Sequence, residues 1–125
     1  MGEAIDRNVL KDLADLQEEG EPDIVEDIGG IFLAHAPAKI DAIAEAASKG
    51  DLKVLERAAH SLKSSSAYVG AMRLSAMCRE LEERARSGSV DEPAAKAELL
   101  RQEFLRAKAE LEQEIQRRKV NARRS

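Results

Sequence analysis

The chain has no tryptophan, one tyrosine, two phenylalanines, three prolines and one cysteine among its 125 residues. A core must therefore be built from aliphatic side chains. Cys78 has no internal partner for a disulfide, which fits a reducing compartment. No apolar run approaches the ~20 residues that a membrane-spanning helix needs. The opening Met1-Gly2-Glu3-Ala4-Ile5-Asp6 lacks the basic stretch and apolar run of a secretion signal, so a cytoplasmic protein without membrane partners is expected. β-Branched residues are sparse, and no segment alternates apolar with polar as a half-buried strand requires. A glycine-rich phosphate loop is also missing. Gly29-Gly30 sits in an apolar helical stretch with no Lys-Ser/Thr after it, and no acidic cluster suits magnesium, so ATP binding is not expected.

What is present is 43% hydrophobic and 35% charged residue, with 24 acids against 20 bases. The expectation is a single domain over residues 1–125, long enough to bury about two thirds of its unfolded surface without a structural metal or disulfide. Charge is uneven: residues 1–30 carry ten acids and two bases, leaving a net +4 for residues 31–125. A general nucleic-acid surface is thus not expected. Arg117, Arg118, Lys119, Arg123 and Arg124 form an acid-free basic end, read as the solvated, fraying end of a helix.

Alanine, leucine, glutamate, lysine and arginine dominate, which points to an all-α chain. Ile5, Val9, Leu13 and Leu16 recur at helical spacing up to the break at Gly20-Glu21-Pro22. Ile24, Ile28, Ile31, Phe32, Ile40, Ile43 and Ala47 trace a second stripe, expected to be kinked or divided by Gly29-Gly30 and Pro37. Gly50-Asp51 pairs a left-handed cap with an N-cap, opening a third helix with Leu52, Leu55, Ala59 and Leu62 inward. Gly70 interrupts the pattern. Leu74, Met77, Cys78, Leu81 and Ala85 then form a fourth stripe that stops near Gly88. Asp91 and Pro93 open a long fifth helix, about 91–119, with Ala97, Leu100, Phe104, Leu111 and Ile115 on its apolar face. Short connections predict an up-and-down antiparallel four-helix bundle with a shorter N-terminal helix.

One segment carries the chemistry: Ala59-His60-Ser61-Leu62-Lys63-Ser64-Ser65-Ser66-Ala67-Tyr68-Val69-Gly70-Ala71. At 100° per residue, His60 projects about 160° from Leu62, away from the core. Ser64 and Ala67 follow it on the same face, one and two turns on, and both are small. That leaves the imidazole open to another protein's active site. Lys63, three positions on, can reach whatever sits on the ring; its charge disfavours imidazolium and would neutralise an attached phosphoryl group. Ser66 is expected to cap or pack. Tyr68 is read either as a docking aromatic or as a lid on the core. Three other features are given no role. His35 is a partly covered helix residue, Cys78 an inert core thiol, and Glu80, Glu82 and Glu83 a surface cluster. Zinc on His35, His60 and Cys78 would require three helices to converge, so no metal is expected.

The run His-x-Leu-Lys-x-Ser-Ser-x-x-x-Gly-Ala resembles the signature of histidine-containing phosphotransfer (HPt) domains of multistep phosphorelays. The Ile-Asp opening, Phe32-Leu33 with Pro37, Gly50-Asp51, and the Leu74 to Leu81 stretch with Cys78 and Glu82 extend the likeness over roughly residues 5–88. The resemblance implies a carrier rather than a kinase. His60 would be the phosphoacceptor and Lys63 its electrostatic support. Ser64, Ala67 and Gly70 would serve docking, with Gly70 permitting the turn out of the helix. Receiver domains of a hybrid sensor kinase and a response regulator would be the partners, each bringing its own Mg²⁺ to a monomeric chain that holds no cofactor. Ser64 stands where the family usually has glycine, and this departure supports an alternative: an adaptor that binds a receiver or kinase without carrying phosphate.

Overall fold

A computed structural model describes residues 3–124, with side chains described through residue 121. Five helices follow in order: α1 (Arg7–Asp15), α2 (Ile24–Lys49), α3 (Leu52–Tyr68), α4 (Met72–Ser87) and α5 (Pro93–Arg124). An aspartate caps each of the first three. Asp6 accepts from Asn8 N–H at 2.9 Å, Asp23 from the N–H groups of Val25 and Glu26, and Asp51 from Val54 N–H. Each side chain satisfies donors that the first helical turn leaves unpaired. Gly50 ends α2 in the left-handed region at φ 69°, as the Gly50-Asp51 pair predicted.

α2 through α5 close a ring of contacts in which α2 packs on α3, α3 on α4, α4 on α5 and α5 back on α2. α1 lies outside this ring, against α2. The observed all-α four-helix bundle with a short N-terminal helix matches the expected architecture. Ile43, Leu55, Leu62, Leu74, Leu100 and Leu111 are fully buried at its centre, and the rings of Phe32 and Phe104 meet at 5.8 Å, tilted by 55°. Aliphatic burial of this kind stabilises by about 1.5–3 kcal/mol per large side chain.

Several details differ from the sequence expectation. α2 runs unbroken for 26 residues with Pro37 inside it. Phe32, Ala36, Ile40 and Ile43 are buried on both sides of that proline, so packing of one continuous face outweighs the lost hydrogen bond. Gly29 is no break either. A Cβ there would lie 3.0 Å from Ile115 Cδ1, so its bareness lets α5 approach α2. Ile31 and Leu16, assigned to inner stripes, are exposed, while Val25 and Leu10 are buried. α5 begins at Pro93, later than Asp91, and extends past residue 119.

The basic end is not simply solvated. Arg118 Nε donates to both carboxylate oxygens of Asp23 at 3.0 and 3.2 Å, and Lys119 lies 3.6 Å from Glu26. Burial raises the Asp23 pKa, but Arg118 and the backbone N–H groups of Glu26 and Val25 outweigh it and leave it lowered. The end of α5 is thereby pinned to the start of α2. The side chains of Arg123 and Arg124 lie outside the described residues.

Between α3 and α4 the chain turns at Gly70, φ 81°, whose carbonyl accepts from Asp6 N–H at 2.7 Å. A Cβ at Gly70 would sit 2.6 Å from the Asp6 carbonyl oxygen, whereas one at Gly50 would meet open space. Gly50→Ala is expected to cost about 1–2 kcal/mol, the left-handed backbone strain alone, and Gly70→Ala distinctly more, about 3 kcal/mol or above. Urea denaturation of the two variants measures this. Equal losses would contradict the close approach at Gly70.

Candidate functional site

His60 lies on the outer face of α3, its side chain 62% exposed. Ser64 is exposed on the same face, Ala67 is half-buried two turns on, and Gly70 is buried at the turn. The structure therefore places the imidazole as the helical projection predicted, with small residues on its C-terminal side. Ser65 spends its hydroxyl within the helix, donating to the carbonyls of Ser61 and Leu62, and Ser66 is packed in the interior. Tyr68 is 66% exposed, which removes the reading of it as a lid on the core.

The residue that organises the site is one the sequence reading discounted. Glu82 on α4 is buried at 3% exposure, directly beneath the ring. Its Oε1 lies 2.6 Å from His60 Nδ1 and accepts from Arg86 Nη2 at 2.9 Å; its Oε2 accepts from Lys63 Nζ at 2.7 Å. Arg86 Nε also donates to Glu56 on α3 at 3.0 Å. Glu80 and Glu83 are exposed, and Glu80 merely pairs with Arg84 on its own helix. Glu82 differs because it follows Ser75 by seven positions and Cys78 by four, both buried, so it shares α4's inner face. That spacing was the available signal.

α4 is held in register here by Ser75, whose hydroxyl donates to the Lys63 carbonyl at 2.9 Å. One backbone-level bond and the Glu82 cluster thus lock the two helices at the height of His60.

The electrostatics follow from a carboxylate with three partners. The Lys63 ammonium hydrogen-bonded to it, with His60 adding, holds the Glu82 carboxyl down to about 2 against the opposing effect of burial. An ionised carboxylate can only accept, so the proton in the His60–Glu82 bond belongs to Nδ1. In the neutral ring, Nε2 then carries the lone pair. The ring's immediate neighbour is a carboxylate, and the ammonium of Lys63, 25% exposed, is engaged with that carboxylate. The Lys63 charge thus lies on the carboxylate whose other oxygen meets the ring.

Other sequence candidates fall elsewhere. Burial pushes the Cys78 thiol up to about 12, with the Glu82 charge contributing, as suits an inert core thiol. His35 is exposed on α2, more open than the partial cover expected of it. Among the described residues no group of three or more His, Cys, Asp or Glu side chains could hold a metal ion, and no helix is long and apolar enough to cross a membrane. A groove lined by Val9, Asp12, Leu13, Leu16, Ala67 and Tyr68 adjoins the His60 face where α1 meets the end of α3. Nothing local marks this groove, because α1 and α3 are distant in the chain.

The Glu82 carboxyl is held below its ordinary 4.5 in the folded chain, so its contribution to stability is complete above about pH 4.5 and is lost as pH falls towards 2. Glu82→Gln should lower the urea midpoint at pH 7, by roughly 1–3 kcal/mol of stability, and the gap to wild type should close across that acidic window. A gap of the same size at pH 7 and pH 2.5 would contradict the assignment.

Comparison with known proteins places this geometry. The model of the Hpt domain family matches residues 27–119. Histidine-containing phosphotransfer protein 4 of Arabidopsis thaliana is 28% identical over 82 residues, 64% of this chain and 65% of that protein, so the match spans just under two thirds of the curated relative. The crystal structure of histidine-containing phosphotransfer protein B (HptB) from Pseudomonas aeruginosa PAO1 superposes with a TM-score of 0.81 at 29% identity, covering 94% of this chain and 98% of that one. The family match takes in α3 with its exposed histidine, α4 with the buried Glu82, and most of α2 and α5: the chain belongs to the Hpt domain family.

Proposed function

We propose that the chain is a phosphorelay intermediate in which His60 accepts a phosphoryl group from a receiver-domain aspartate and passes it to the aspartate of another response regulator. The observation that carries this reading is the ring itself, exposed on one side and tied through Nδ1 to an ionised buried carboxylate on the other. The Nε2 lone pair attacks the phosphorus of the aspartyl phosphate, a P–N bond forms, and the P–O bond to the aspartate breaks, returning its electron pair to the carboxylate. Nδ1 keeps its proton throughout. The positive charge that develops on the ring is met by Glu82, whose own charge Lys63 and Arg86 balance. In the onward step the second aspartate attacks phosphorus, the P–N bond breaks, and the lone pair returns to Nε2.

This chain's share of the catalysis is position: a nucleophile with its tautomer fixed on a rigid scaffold. The receivers bring the carboxylates and Mg²⁺ that stabilise the transferring group. Ser64 and Ala67, small on the approach side of His60, leave the space through which an acyl phosphate reaches Nε2. We read the carrier as a monomer acting in the cytoplasm.

Incubation with a phosphorylated receiver and Mg²⁺ should place acid-labile, base-stable label on the wild type and none on His60→Gln. Ser64→Trp should lose transfer by roughly 10- to 100-fold, because displacement of the reacting atoms by an ångström is enough to do so. Equal labelling of wild type and His60→Gln would overturn the assignment. A receiver that binds both without labelling either would establish the adaptor reading instead.

A further inference from the structure

α1 is the one helix outside the four-helix ring, yet it forms a wall of the groove that adjoins the His60 face. The opposite wall is Ala67 and Tyr68. Ala67 lies seven residues after His60 on the same side of α3, about 10 Å along the helix axis. A receiver domain centred on His60 spans that distance readily, since a specific interface covers about 800 Å² per partner. The orientation of α1 therefore bears on how such a partner seats.

Besides its packing on α2 through Leu10, α1 is tied down by the chain that enters it. Ala4 and Ile5 are buried, and their backbone N–H groups both donate to the carboxylate of Glu110 on α5: Ala4 to Oε1 and Oε2 at 2.9 Å, and Ile5 to Oε1 at 3.0 Å. The next N–H, that of Asp6, donates to the Gly70 carbonyl at 2.7 Å. Three consecutive backbone donors are thus tied to two parts of the bundle far away in sequence, immediately before Asp6 caps α1. Successive N–H groups converging on one carboxylate form a strong anchor, because a charged acceptor roughly doubles the strength of each bond. Glu110 belongs to none of the His60–Glu82 contacts.

We propose that Glu110 is a positioning residue for phosphoryl transfer: by clamping the N–H groups of Ala4 and Ile5 to α5, it holds α1 as the second wall of the face on which the receiver domain docks. The inference rests on the relay reading above. It places Glu110 in partner seating and not in the chemistry at Nε2.

Transfer from a phosphorylated receiver, measured in the full chain over a range of receiver concentrations, separates the two. Glu110→Ala should raise the half-saturating receiver concentration by about 5- to 20-fold, since only part of the anchoring lost with these charge-assisted bonds reaches the docking face. Its maximal transfer rate should stay within about twofold of wild type, since the His60 cluster is untouched. Glu110→Gln, whose amide oxygen can still accept from both N–H groups but without the charge, should fall between wild type and Glu110→Ala. Amide exchange at Ala4, Ile5 and along α1 should quicken in Glu110→Ala while α3 and α4 stay protected. Should Glu110→Ala fold too poorly to assay, Ala4→Pro deletes one of the N–H donors to Glu110 and should show the same split. An unchanged half-saturating concentration, or a fall confined to the maximal rate, would overturn the role of Glu110 while leaving His60 as acceptor. A wild type that takes no label from any receiver would instead overturn the relay reading, and faster exchange in Glu110→Ala would then still identify the clamp.

Discussion

A single buried carboxylate underlies the site. Glu82 sits between α3 and α4 with the imidazole of His60 on one oxygen and the ammonium of Lys63 on the other. Left unpaired, such a charge at 3% exposure would be strongly unfavourable; with two cations and a ring N–H around it, the charge becomes a fixed reference point for everything above. The ring cannot turn freely without giving up that bond. That bond places a proton on Nδ1, so in the neutral ring the lone pair is on Nε2. One interaction thus fixes orientation, tautomer and the electrostatic response to reaction together.

The remainder of the fold can be understood as support for that arrangement. Leu55, Ala59 and Leu62 seat α3 in the core on the side opposite His60, and Leu74, Cys78 and Leu81 seat α4, so that Glu82 arrives under the ring. Ser75 on the Lys63 carbonyl sets the height of one helix against the other. α2 and α5 cover the far side, with Gly29 allowing their close approach and Arg118 on Asp23 fastening their ends. On the proposed relay reading, a rigid bundle that offers one nucleophilic nitrogen would leave the choice of donor and acceptor to the surfaces that dock on it.

Helix starts and stops were legible because they depend on local chemistry. Asp51 after Gly50 states both the end of one helix and the start of the next, and no distant residue is needed to read it. The outward direction of His60 was legible for a similar reason: its angle to Leu55, Ala59 and Leu62 is set by helical geometry. Glu82 was not legible in the same way. Among Glu80, Glu83 and Arg84 it looks like one more charge on a solvated face, and only its register with Ser75 and Cys78 hints at burial; its partners come from another helix. The pairing of Arg118 with Asp23 and the survival of α2 through Pro37 were hidden for the same physical reason. Both are decided by contacts between segments far apart in sequence, which override what the local residues prefer.

Where the proton sits on the His60 ring, and which nitrogen reacts, are read most directly by nitrogen-15 NMR of the imidazole before and after phosphorylation. The neutral form of the ring should carry its proton on Nδ1, with Glu82→Gln weakening that preference, and phosphorus should be coupled to Nε2 once the group has been transferred. A neutral ring protonated at Nε2 in the free protein, or phosphorus bonded to Nδ1, would contradict this.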